Sequence, residues 1–224
     1  MTIVKDKKSI KYFILSGIIL LCMYSNVAAQ IFNPIFNNIY YGNLVDMFEA
    51  VVSAIIWGVE IGLIIIACKK FNIQIFTAKE NKGKELKTWK VILLFVITIL
   101  PMLIISACIS WKVKIVYALG IKVTTVGLVC NVCEILAYAV RMILMVMFIS
   151  CIQKGFELIF KTKYIIPFGA IMAFLTFGLI DFFVLAVDLR VFYLIASFLY
   201  GVVYLVADKK FATTWLLCYL IYLL

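Results

Sequence analysis

Long apolar runs separated by short lysine-bearing segments dominate the chain from Tyr12 to Leu224. Most are about 17 to 25 residues long, enough to cross a hydrocarbon core of roughly 30 Å as a helix. The pattern predicts seven helices: Tyr12 to about Ala29, Phe48 to Cys68, Val91 to Trp111, Val123 to Phe160, Ile165 to Val187, Val191 to Ala207 and Phe211 to Leu224. The fourth run has no strong breaker and reads as one long helix, with Gln153 to Phe160 mixing polar and apolar positions in a way that suits an interface. Pro101 is expected to kink the third helix. The last run has 14 residues and at 1.5 Å each spans only about 21 Å, so it is expected to stop part way across. The short alternating segments of a membrane β-barrel are not seen.

The expected fold is therefore all-α, a polytopic transmembrane bundle forming one membrane domain over 1–224. Residues 1–111 form a three-helix part that includes a basic loop at 69–90, and 123–224 form a second helical part. Alternate loops carry the cations. The segments ahead of the first run, at 69–90, after Gln153 and at Lys209-Lys210 together hold sixteen, whereas Lys112, Lys114, Lys122 and Arg190 are the four on the other side. The positive-inside rule then places the N-terminus in the cytoplasm. The lysine-rich start and the small residues near Asn26 to Gln30 resemble a signal peptide, but the run is nearly long enough to span and is expected to stay as an uncleaved helix. Ile31 to Asn43, with Pro34, four asparagines and several aromatics, reads as an interfacial loop or short surface helix.

Composition agrees with this placement. Hydrophobic residues make up 67% of the chain, charged residues 14%, and mean hydropathy is +1.17, values that exclude water as the main solvent. The net charge of +10 lies in loops beside apolar helices, so its expected partner is anionic lipid of the cell membrane and not nucleic acid. No histidine is present, which removes imidazole as base or metal ligand from this chain acting alone. The seven cysteines are scattered, mostly inside apolar runs, and do not form a secreted disulfide framework. Cys130 and Cys133 are helical neighbours beside Glu134, and without a second ligand pair they read as packing before redox or metal chemistry. Neither a metal nor a cofactor is expected.

Glu60, Glu134, Arg141 and Asp181 lie well inside apolar runs, where a charge costs about 2.5 to 3.5 kcal/mol even on the lenient insertion scale. They are expected to face the bundle interior. Glu134 and Arg141 share a helix face two turns apart, and the simplest arrangement pairs Arg141 with one carboxylate from another helix. A polar cavity for a substrate, peptide or ion is the functional alternative.

The stretch from Phe148 to Leu224 resembles the CPBP (Abi) family of intramembrane proteases, which includes CAAX-processing enzymes and bacteriocin-immunity proteins. Phe177-Gly178-Leu179-Ile180-Asp181 stands where that family has FxxxH, with Asp181 in place of the histidine. Counting back places Phe148-Ile149 at the family's paired glutamates and Gln153 at its arginine, and Tyr219 falls near a second histidine position. The resemblance implies a frame that lacks the family's water-activating parts. Glu134, Glu157 and Asp181 are the carboxylates available for any displaced chemistry, and Glu60, Glu134, Arg141, Gln153, Asp181 and Tyr219 are the polar residues expected around a cavity. The expected function is an immunity, accessory or partner-binding membrane protein that has lost protease activity. An active endopeptidase using carboxylates alone, or a small transporter or channel subunit, are the alternatives. A membrane peptide or partner membrane protein is the implied ligand, in addition to the bilayer.

Overall fold

The computed structural model describes residues 7–25, 43–75, 88–109, 125–160, 166–184 and 187–223. Over these residues it is all-helical, with seven helices and no strand. They are α1 (Lys7–Met23), α2 (Asn43–Lys70), α3 (Thr88–Ile109), α4 (Thr125–Phe160), α6 (Val187–Val206) and α7 (Phe211–Leu223), together with α5, made of three consecutive segments, Phe168–Ala173, Phe174–Gly178 and Leu179–Val184. The expected interfacial segment at 31–43, the small residues after Ser25, most of the basic loop and the segment from Lys112 to Lys122 lie outside the described residues, apart from Asn43, the first residue of α2.

The ends differ from expectation for identifiable reasons. The first helix stops at Met23, well before Ala29. Tyr24 and Ser25 form a tight turn with Leu21 and Cys22, and the Ser25 hydroxyl donates to the Cys22 carbonyl. Helix α2 closes two residues after Cys68 with a Schellman pattern. Asn72 takes a left-handed φ of 53°, Asn72 N–H bonds Lys69 O, and Ile73 N–H bonds Cys68 O. The same device ends α6, where Asp208 at φ 54° and Lys209 at φ 60° turn the chain toward α7. Pro167 holds the entry of α5 outside the helix, so α5 begins at Phe168 and not at Ile165.

Helix α4 is the hub, packed by α1, α2, α5, α6 and α7. Its middle, Leu144 to Gln153, is buried on every face, as a central bundle helix requires. α1 runs antiparallel to α4, with Phe13 against Gly155 and Phe156 and Tyr24 beside Arg141. α2 runs parallel to it, with Trp57 beside Arg141 and Ile75 beside Ser150. α5 and α6 cross at very short range. A Cβ on Gly201 would meet Ala170 Cα at 2.2 Å, and one on Gly178 would meet the Ser197 hydroxyl at 2.4 Å. Small residues at such crossings let backbones approach in a way larger side chains forbid. A five-residue π-helical turn, Phe174–Gly178, lies at the same crossing.

The outer faces are apolar. Val51, Ile55, Val59, Leu63 and Ile66 make an exposed stripe on α2, and Ile10, Ile14, Ile18 and Leu21 make another on α1. Among the described residues two segments, Met47–Lys70 and Leu128–Phe160, are long and apolar enough to cross a membrane. Ile92–Ile104, Phe168–Phe183, Arg190–Val206 and Phe211–Leu223 are shorter apolar helices. Lys90 at the start of α3 pairs with Asp208, and Lys209 pairs with Glu157, so these cations gather at one end of the bundle.

Candidate functional site between the second and fourth helices

Arg141 occupies the middle of α4 and is enclosed by rings. Its guanidinium lies 5.8 Å from the centroid of Trp57 on α2, 5.8 Å from Tyr138 one turn earlier, and 6.0 Å from Tyr24 after α1. Among the described residues no ion pair involves Arg141, so the expected carboxylate partner is replaced by aromatic faces. Such contacts are worth about 0.5 to 2 kcal/mol each, and they leave hydrogen-bonding capacity unused. Arg141 Nε, Trp57 Nε1, Tyr24 Oη and Tyr200 Oη are all buried without a hydrogen-bond partner. Tyr138 stacks on Tyr222 at 4.2 Å, Tyr24 stacks on Phe177 at 5.9 Å, and Phe177 meets Phe148 edge-on at 5.0 Å. This packing fixes the rings that hold the cation. Asp181 on α5 lies within electrostatic reach of Tyr24, Tyr193 and Tyr200, as does Arg141.

A chamber of about 180 Å³ opens beside this cage, lined by Glu49, Ala50, Ser53, Trp57, Glu134, Ala137 and Tyr138. Its space comes from the small buried residues Ala50, Ser53 and Ala137, which face each other across the seam of α2 and α4. Glu134 is exposed and Glu49 half-buried, whereas Trp57 is only 3% exposed. One side of the chamber is therefore acidic, and its innermost wall consists of the two rings against which Arg141 packs. Glu60, one turn beyond Trp57 on α2, faces Cys22 and Ser25, with its Oε2 buried and unpartnered.

The basic end holds a separate polar network. Gln153, 1% exposed, uses both ends of its amide. Nε2 donates to Glu157 Oε1 at 2.7 Å and to the Ile166 carbonyl at 3.0 Å, and Oε1 accepts the Gly169 N–H at 3.0 Å. Lys209 Nζ donates to the same Glu157 oxygen at 2.7 Å. Ser150 donates to the Ile75 carbonyl at 2.7 Å, so its hydrogen bond of 2.9 Å with Tyr204 uses the phenol as donor. Apart from the Gln153–Glu157 bond within α4, the bonds of this network join different parts of the chain, and the network reads as a clamp.

The residues singled out from sequence thus fall at different levels. Glu134 is in the chamber and Glu157 in the basic-end network, 23 residues apart on one helix, about 35 Å at 1.5 Å per residue. Asp181 belongs to the tyrosine cluster around Arg141. Tyr219 donates to the Ile135 carbonyl at 2.9 Å, whereas Gln153 sits 18 residues further along α4, about 27 Å away. Gln153, Asp181 and Tyr219 therefore do not surround one cavity. Cys130 is buried and Cys133 half-buried, and among the described residues no group of three or more metal-type ligands comes together. Sequence reasoning missed Ser53, Trp57 and the tyrosines at 24, 138, 200 and 222. These tyrosines lie on or just after four different helices, and no periodicity within one helix shows that they meet. Trp57 carried one usable signal, its position one turn from Glu60, a charge inside an apolar run.

No family model matches the chain, and no curated protein or solved structure is similar to it at a significant level.

Proposed function

We propose that this chain is a multi-pass protein of the cell membrane, with its lysine-rich end in the cytoplasm, and that it acts by binding a small polar ligand between α2 and α4. The observation that carries this is the Arg141 cage. A cation at mid-helix, held by three rings, with unpartnered donors next to a chamber, is costly to keep and is suited to recognition. The multi-pass placement is supported by the exposed apolar stripes on α1 and α2, larger than a water-facing monomer tolerates, and by the cations collected at one end. Hydrolysis by carboxylates gains no support from the geometry, because Glu134 and Glu157 are too far apart to share a water. A silent relative of the CPBP enzymes is one form such an accessory protein takes. What supports that form is the order and spacing of α4 to α7, not their chemistry.

The test is labelling of introduced cysteines in intact cells, measured over the background of the seven native thiols. Ser53→Cys is expected to react with a small membrane-impermeant thiol reagent added from outside, and Lys210→Cys only after permeabilisation. Reaction of Lys210→Cys in intact cells would sink the orientation. An inert Ser53→Cys would sink the open chamber.

A further inference from the structure

We infer that the chamber's ligand is a zwitterion, a primary ammonium and an anionic oxygen group separated by a few bonds. This rests on the binding reading above and adds the chemistry of the ligand. The chamber is electrically polar along its length. Glu49 and Glu134 supply negative charge toward the end of the bundle away from Lys70, and Arg141 supplies positive charge against the inner wall of Trp57 and Tyr138. Glu134 and Arg141 are two helical turns apart, about 10 Å along the axis, and the rings of Trp57 and Tyr138 stand between the guanidinium and the chamber. A ligand with its anionic end at this wall and its cationic end at the acidic side has its two charges a few ångströms apart.

Trp57 carries the anionic half of the argument. It is 3% exposed, it lines the chamber, and its indole N–H has no acceptor, as Arg141 Nε has none. Buried donors of this kind are satisfied in nearly all proteins, so the Trp57 N–H at the chamber wall, with the Arg141 cation behind it, calls for an oxygen acceptor. A carboxylate or phosphate provides one with matching charge. The acidic side and the open aromatic surface suit an ammonium. Neither charge alone fits, since a simple anion would have to pass Glu134 and a simple cation would meet the Trp57 N–H with the Arg141 charge behind it. At about 180 Å³ the chamber is below the roughly 300 to 1,000 Å³ of drug-sized sites, which excludes a folded peptide and admits a small molecule or a headgroup. Two sources carry this chemistry, free amino acids and the headgroup of an ethanolamine phospholipid. The exposed Val132 and Leu136 beside Glu134 on α4 give acyl chains a surface to lie on in the second case.

The experiment titrates the full chain, purified in neutral detergent, with β-alanine and O-phosphoethanolamine, and in parallel with ethylamine and acetate. The expected result is saturable binding of at least one zwitterion and none of the single-charge probes at the same concentration. Glu134→Gln and Arg141→Gln should each weaken it about tenfold or more, with partial recovery in Arg141→Lys. If a variant does not fold, Ser53→Leu fills the chamber from a position away from both charges and should abolish binding. Loss of the soluble probe in nanodiscs of ethanolamine phospholipid, but not of choline phospholipid, assigns the site to the headgroup, and retention in both assigns it to a free amino acid. Equal binding of ethylamine or acetate, or zwitterion binding unchanged in Glu134→Gln, overturns the inference. So does absence of binding by every probe. If Ser53→Cys is nevertheless labelled from outside, the open chamber stands and only the ligand class is wrong.

Discussion

Gln153 and Gly169 join α4 to α5 through a bond that neither helix can replace by itself: the side-chain carbonyl of Gln153 accepts the Gly169 N–H at 3.0 Å in a fully buried setting. Gly169 has an open N–H because it lies in the first turn of its helix, where no backbone acceptor is available. The glycine is also required sterically, since a Cβ there would lie 2.8 Å from Ile149 Cγ2 and 3.0 Å from the Ile149 carbonyl. Gln153→Leu keeps the volume and removes the acceptor. It should destabilise the protein by about 1 to 3 kcal/mol, the usual cost of a buried N–H left unpaired. Thermal unfolding of the detergent-solubilised chain checks this, and a melting temperature equal to wild type would show that the clamp is not needed.

Gly201 and Gly58 separate close packing from helix propensity. A Cβ on Gly201 would lie 2.2 Å from Ala170 Cα and 2.4 Å from Ala170 N, so the backbone of α5 would have to move. Gly201→Ala is expected to cost about 3 kcal/mol or more, above the ordinary overpacking range because no flexible side chain can yield. Gly58 has nothing within 4 Å of its would-be Cβ, and Gly58→Ala should leave stability unchanged or raise it by about 0.5 to 1 kcal/mol. Melting curves of the two variants compared in one detergent decide it. Similar losses in both would mean that the α5 and α6 crossing is looser than described.

The turn between α6 and α7 is governed by backbone conformation more than by charge. Asp208 pairs with Lys90 and Lys209 with Glu157, but these side chains are between a quarter and two fifths exposed, and such pairs contribute about 0 to 1 kcal/mol. Both residues hold positive φ, 54° and 60°. Asp208→Asn, which tolerates that region, should therefore be nearly neutral, and Asp208→Val should be clearly destabilising because a β-branched side chain resists it. Equal stability of the two variants, measured by thermal unfolding, would contradict the turn geometry.

Helix number and order among the described residues were legible because each helix is a long apolar run bounded by lysines or turn residues, and packing against other helices does not disturb that pattern. Length was less legible where the stop is a local hydrogen bond, as at Ser25, or a left-handed residue, as at Asn72. Of the site, Arg141 and Glu134 could be found because a charge inside an apolar run is conspicuous. The cage could not be found, since Trp57 and Tyr24 are ordinary apolar-run residues until α1 and α2 are laid against α4. Gln153 was singled out for a position in a family frame, and its observed partners, Glu157, Ile166 and Gly169, make it a helix clamp.

Arg141 should separate stability from function. Replacing it by methionine removes about 0.5 to 2 kcal/mol for each ring contact, but it also removes the desolvation of a guanidinium that lacks a carboxylate partner among the described residues, a cost of several kcal/mol. The second term is the larger when the site is empty, because Trp57 and Tyr138 can still pack against a thioether. Arg141→Met is therefore expected to melt at the same temperature as wild type or higher, and to lose ligand-induced stabilisation entirely. The measurement is a pair of melting curves for each protein, with and without a saturating zwitterion. A variant that is strongly destabilised without ligand would mean that Arg141 serves the fold, and the binding role would then have to be given up.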